Sequence, residues 1–280
     1  MRKSAFWLCL GGLVVLLGGA WRASLAQPPA PATGEGLPQF TYAEHYIFPV
    51  RIHLLKSETL PWVQCKLTLT DMQRVFGKMN RIWNQAGVEL YLESVSVEEA
   101  AGQTLYAPDF LPPMLHGYLA LRPAASKLPK AYNLYYLHDA GPNGFFLGHD
   151  AIFVKDSASL RPVPGGIDEP LPRVSSHEIG HGFGLEHNPD KSHLMASGTT
   201  GTAFDSGEVE RARTTAKELG WGLSPEQLHE LAEAAFAKND TAQAKPMYEA
   251  LAGIPGSSPL KTQAEQRLAA LRAKTAEGEN

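Results

Sequence analysis

Apolar positions divide the chain into a strand–helix–strand opening, an irregular middle and a helical end. In residues 46–55, Val50, Ile52 and Leu54 recur at every second position, with Pro49 near the start. That pattern predicts a strand. Met72, Val75, Phe76, Met79, Ile82 and Trp83 recur at three and four, the spacing of a helix with one apolar stripe. Thr70 and Gln73 read as its capping box, and Gly87 as its stop. Val88, Leu90 and Leu92 then alternate with Glu89, Tyr91 and Glu93, which predicts a half-buried strand. Strand, helix and strand in that order predict an α/β fold class.

Residues 104–130 are proline-rich and lack a period, so an irregular excursion without assigned function is expected. Apolar runs at 133–137 and 151–154 flank Gly141-Pro142-Asn143-Gly144 and Phe145-Phe146-Leu147, predicting three short strands joined by tight turns. A Pro/Gly-rich loop over 161–172 follows. From Ser224 onward, alanine, glutamate and leucine predict helices over 225–238, 241–252 and 259–273, broken at Asn239-Asp240 and at 255–259.

At the amino end, Arg2 and Lys3 precede an apolar run from Ala5 to about Trp21, and Ser24-Leu25-Ala26 offers a small-x-small cleavage pattern. Residues 1–26 therefore read as a signal peptide of a secreted or periplasmic protein. The competing reading is a membrane anchor through residues 5–21. Residues 27–39 have almost nothing apolar to bury and read as a disordered linker. No later stretch is long and apolar enough to span a bilayer, so no membrane association is expected after cleavage.

Losing Arg2, Lys3 and Arg22 from the 25 basic residues leaves 22 against 29 acidic, a net charge of −7. That balance, without any dense basic block, argues against nucleic acid as a partner. Of the two cysteines, Cys9 falls in the signal, so Cys65 has no internal disulfide partner.

The decisive stretch is His177-Glu178-Ile179-Gly180-His181-Gly182-Phe183-Gly184-Leu185-Glu186-His187. Histidines four apart share one helix face, so two imidazoles reach a single Zn²⁺, with Glu178 beside it as general base. Gly184 is placed to adopt positive φ, end the helix and bring His187 back as third ligand. Three protein nitrogens leave a tetrahedral position for water, which separates a catalytic zinc site from a closed structural one. A carboxylate beside zinc-activated water hydrolyses carbonyl substrates. The His-Glu-x-x-His pentad alone recurs by chance in roughly one chain in a hundred of this length, so the extended spacing carries the reading.

That extended spacing resembles the signature of the metzincin zinc peptidases at every fixed position. The resemblance spans roughly residues 40–222. It implies a twisted mixed sheet with an antiparallel edge strand and backing helices, and a zinc-dependent endopeptidase acting on peptides or proteins. It also implies that Met195, in His193-Leu194-Met195-Ala196-Ser197, forms the apolar floor beneath the imidazoles. The substrate-pairing edge strand falls within residues 144–149, and Asp205 with Glu208 caps a last helix running to Gly220. Residues 183–187 are similar to reprolysins, but Cys65 alone does not match their disulfides. No astacin-like fifth ligand follows Met195, and the surroundings of Cys65 do not match the matrixin cysteine switch, so a buried, inert thiol is expected there.

His138, Asp139, His149 and Asp150 offer a candidate second, structural ion site. His45, His53, His116, His193 and His229 lack partner spacing and read as structural. Leu228, Leu231, Ala232, Ala244, Tyr248 and Leu251, with Pro255 behind them, resemble one tetratricopeptide repeat. So short an array implies that residues 223–280 pack on the domain before them or on a protein partner. A non-enzymatic alternative follows: a zinc-stabilised binding protein recruiting partners through this helical segment.

Overall fold

The computed structural model describes residues 40–278, so the expected signal (1–26) and linker (27–39) lie outside the described residues. Five strands form one sheet: β1 (Tyr46–Lys56), β2 (Val88–Glu99), β3 (Tyr132–Leu137), β4 (Gly144–Phe146) and β5 (Ile152–Lys155). Their order across the sheet is β2-β1-β3-β5-β4. All neighbours are parallel except β4, which runs antiparallel to β5 at the edge, with Phe145 opposite Phe153. The class is mixed α/β, as the opening pattern predicts.

Helix α1 (Leu69–Trp83) buries Met72, Val75, Phe76, Met79, Ile82 and Trp83, the predicted stripe in full. Its capping box is Thr68 with Asp71, not Thr70 with Gln73. The aspartate at the third position reaches back to the Thr68 amide (2.9 Å) and sets a carboxylate against the positive end of the helix, which glutamine cannot do. Gly87 follows in a left-handed conformation (φ +64°), where a Cβ would meet the Tyr42 ring at 2.7 Å.

Helix α2 (Pro170–Gly182) starts earlier than predicted, taking Pro170–Pro172 out of the expected loop. Proline is at home in a first turn, and two of them there remove two amides that would lack partners. Glu169 at the N-cap pairs with Arg74 and with Lys78 (3.0 Å), joining α2 to α1. Together α1 and α2 cover one face of the sheet, sharing a core with Phe48, Val50, Ile52, Leu54 and Tyr136. Helix α3 (Ser206–Glu218) begins with the expected Asp205–Glu208 capping box and ends just before left-handed Gly220.

The second sheet face is covered at both ends, and here β2 departs from expectation. Glu89 and Tyr91 are 2% and 5% exposed. Both are buried because the carboxyl-terminal helices α4 (Pro225–Ala237), α5 (Thr241–Gly253) and α6 (Pro259–Gly278) lie beside this end of the sheet. Ile47 and Tyr91 join Leu228, Ala232, Tyr248 and Leu251 in one apolar cluster. The three tail helices fall where the sequence predicts them. Leu231 is nonetheless 46% exposed, because the stripe facing α5 is Leu228, Ala232 and Ala235.

At the other end of that face, the irregular segment 103–126 folds into short 3-10 turns. It buries Tyr118 and Leu121 with Trp62, Tyr135, Phe145 and Phe153. No helix among the described residues is long and apolar enough to cross a membrane.

Candidate metal centre

Helix α2 carries His177 and His181 one turn apart, and left-handed Gly184 (φ +75°) turns the chain so that His187 returns to them. The ring centroids lie 4.9, 5.0 and 5.3 Å apart, and one nitrogen from each ring lies within 4.8 Å of the others. His177 is buried, His181 half-buried and His187 exposed, so the trio opens from the core to the surface.

Backbone carbonyls orient two of the rings. His177 Nδ1 donates to Leu194 O at 2.8 Å, and His181 Nδ1 donates to Leu185 O at 3.0 Å. Each bond fixes the tautomer that leaves Nε2 as a lone-pair donor, the usual preparation of an imidazole for a metal. Burial, reinforced by the Arg173 guanidinium, lowers His177 to about 3, and burial also lowers His181. Neutral rings are the form that ligates. Three converging imidazoles, two of them with the tautomer fixed by a backbone carbonyl, are a donor set that fits Zn²⁺.

Met195 is fully buried against α2, and its sulfur sits where a side chain on Gly180 would begin: an added Cβ there would be 2.5 Å from Sδ. Asn188 N donates to Met195 O at 3.0 Å, tying the chain after His187 to the same turn. Phe183 packs its ring on Phe48 (5.1 Å), Trp83 (4.8 Å) and Tyr132 (5.5 Å), anchoring the end of α2 in the main core.

Glu178 shares a cleft of about 580 Å³ with the three histidines, Gly144, Phe146, Leu115, Leu160, Ser197 and Gly198. Burial pushes its carboxyl up to about 8, with the Arg173 guanidinium pulling the other way. The edge strand approaches so closely that a Cβ on Gly144 would stand 2.9 Å from Glu178 Cγ and Oε1.

Arg173 is the residue that sequence reasoning missed. It is 2% exposed and donates to the carbonyls of Ala196 and of Gly201 (3.2 Å), binding α2 to the segment after Met195. Residues 173, 177 and 181 share one helix face, which places Arg173 on the side of the histidines without naming the carbonyls it bonds.

The four residues considered for a second ion go to separate partners. His138 bonds Asp156 (2.7 Å), Asp139 faces Lys155 (3.5 Å), His149 donates to Gly182 O (3.0 Å), and Asp150 pairs with Arg122 (2.9 Å). Another set of ligand-type side chains among the described residues is His193, Asp205 and Glu208. Glu208 there accepts from His193 (2.9 Å), Asn188 (2.9 Å) and the Asp205 amide (2.9 Å), an arrangement that the capping of α3 accounts for. Cys65 is buried, and burial pushes its thiol up to about 12, as expected of an inert cysteine.

Comparison with protein-family models gives no match to this chain, and comparison with curated proteins gives none either.

Proposed function

We propose that this protein is a zinc-dependent endopeptidase of metzincin type, with His177, His181 and His187 holding the metal and Glu178 as general base. The observation that carries the reading is the convergence of three imidazoles, two held by carbonyls through Nδ1, beside a buried carboxylate in an open cleft. A scaffold that used zinc only for folding would have no use for that carboxylate. Further support comes from the antiparallel edge strand β4, which lines the cleft, and from the buried Met195 packed against Gly180 of the helix that carries His177 and His181.

Zinc, when bound, supplies a Lewis acid that acidifies water and polarises the scissile carbonyl. Glu178 accepts the proton of the attacking water and returns it to the leaving amine. Burial beside Val174 and Gly144 favours the protonated form needed for that return, and the Arg173 guanidinium favours the carboxylate needed to accept the proton. Arg173 keeps the floor and the helix in register through its two carbonyl contacts. Gly144 leaves room for the Glu178 side chain and for a peptide backbone at the edge strand. With residues 1–26 as an export signal, the enzyme acts outside the cytoplasm.

Incubating the full chain with a degenerate peptide library, with and without chelator, tests the reading. Cleavage that disappears with chelator and returns on adding zinc is the expected result. Stoichiometric zinc without any cleavage would favour the binding-protein alternative.

A further inference from the structure

The segment between β2 and β3 is tied to the wall of the cleft. Tyr118 stacks its ring edge-on 4.8 Å from Phe145 of β4 and 6.0 Å from Trp62. The segment also folds back on itself: the Tyr106 hydroxyl donates to Gly117 O, and a Cβ on Gly117 would fall 2.8 Å from the buried Pro112. A segment held this firmly leaves large apolar side chains in water. Phe110 is 72% exposed, Met114 70% and Leu115 41%. Leu115 at the same time lines the cleft that holds Glu178 and the three histidines.

We propose that Phe110, Met114 and Leu115 form an apolar docking surface, continuous with the cleft, that is covered by an apolar stretch of the polypeptide being cut. The substrate class is then unfolded or loosely folded protein with exposed apolar segments, not short polar peptides. This rests on the hydrolase reading above. Continuity identifies the occupant: Leu115 belongs both to the cleft and to the patch, so a chain that fills the first runs directly onto the second. Large apolar side chains left exposed within a few residues of a cleft-lining one are the kind of surface that marks an interaction site. A lipid surface fits less well, because membrane-seeking patches pair apolar residues with lysine or arginine. Residues 105–121 carry none, Asp109 being their one charged residue.

The test uses the full chain with Glu178→Gln, so that binding is read without turnover. Fluorescence anisotropy follows labelled peptides of about 15 residues, ~50 Å when extended, one apolar and one polar, of equal charge. Adding Phe110→Ser and Met114→Ser removes no core packing, since both side chains are exposed. The expected result is a loss of affinity of about tenfold or more for the apolar peptide, with little change for the polar one.

In the otherwise native chain, the same pair of substitutions lowers the ratio of kcat/KM on a long apolar peptide to that on a short one. A change in apolar-peptide affinity below about twofold overturns the proposal. So does a loss of co-sedimentation with phosphatidylcholine or phosphatidylserine vesicles while peptide affinity is kept, since the patch then belongs to a membrane. Apolar-peptide affinity that falls as expected supports the surface even if the native chain cleaves nothing, and in that case the hydrolase reading is what fails.

Discussion

Two glutamates, Glu178 in α2 and Glu89 in β2, are almost equally buried, and burial pushes each carboxyl up to about 8. Their surroundings differ completely. Glu178 shares a cleft with three imidazoles and is opposed by Arg173. Glu89 sits near the seam between sheet and tail, where its hydrogen-bond donor is Asn84 Nδ2 at 3.2 Å. A perturbed carboxyl is thus a consequence of burial, and only convergence with other donors gives it a chemical task.

The largest effect expected from breaking this pairing is on turnover. Glu178→Gln should lower kcat by about 10²–10⁴-fold while zinc stoichiometry stays unchanged. Glu89→Gln should leave kcat as it is. Steady-state kinetics with metal analysis checks both, and an active Glu178→Gln enzyme would remove its role as base.

Glu89 instead shows itself in stability. Its folded value lies above the ordinary 4.5, so between roughly pH 4.5 and 8 the folded chain holds a proton that the unfolded chain releases. The associated stability is fully present below 4.5 and is lost as pH rises through about 8, at up to about 1.4 kcal/mol per pH unit. Urea denaturation of zinc-loaded protein from pH 5 to 8 should show the decline, and Glu89→Gln should flatten it. Equal slopes in the two proteins would mean that Glu89 is solvated.

On the metal side, Gly180→Ala drives a Cβ toward the buried Met195 sulfur and should cost about 1–3 kcal/mol. Gly77→Ala, in a helix with no heavy atom within 4 Å of the new Cβ, should instead stabilise by up to about 1 kcal/mol. Thermal melts of the pair separate a packed floor from ordinary helix propensity. The smallest effect belongs to a third buried acid, since Cys65→Ser should leave activity unchanged. A rise in activity would point to a latent form held by that thiol.

The same contrast explains what could be read in the sequence. The convergence of His177, His181 and His187 was legible because its spacing is local: one helix and one glycine turn. The α1 stripe, the three tail helices and the α3 capping box were legible for the same reason. Glu89 and Tyr91 were misread as solvent-facing because what buries them lies more than 130 residues further along the chain. Leu231 was misplaced because the width of the buried stripe on α4 depends on how α5 meets it. Arg173 escaped notice because its role depends on the carbonyls of Ala196 and Gly201, which no spacing announces.

The coordination of zinc bound to the full chain bears most directly on the claim that His177, His181 and His187 converge on one ion. X-ray absorption at the zinc edge should report three imidazole nitrogens at ~2.0–2.1 Å and one oxygen in a four-coordinate shell. A shell closed by a fourth protein nitrogen or sulfur, or a spectrum unchanged when His177 and His181 are replaced by alanine, would contradict it.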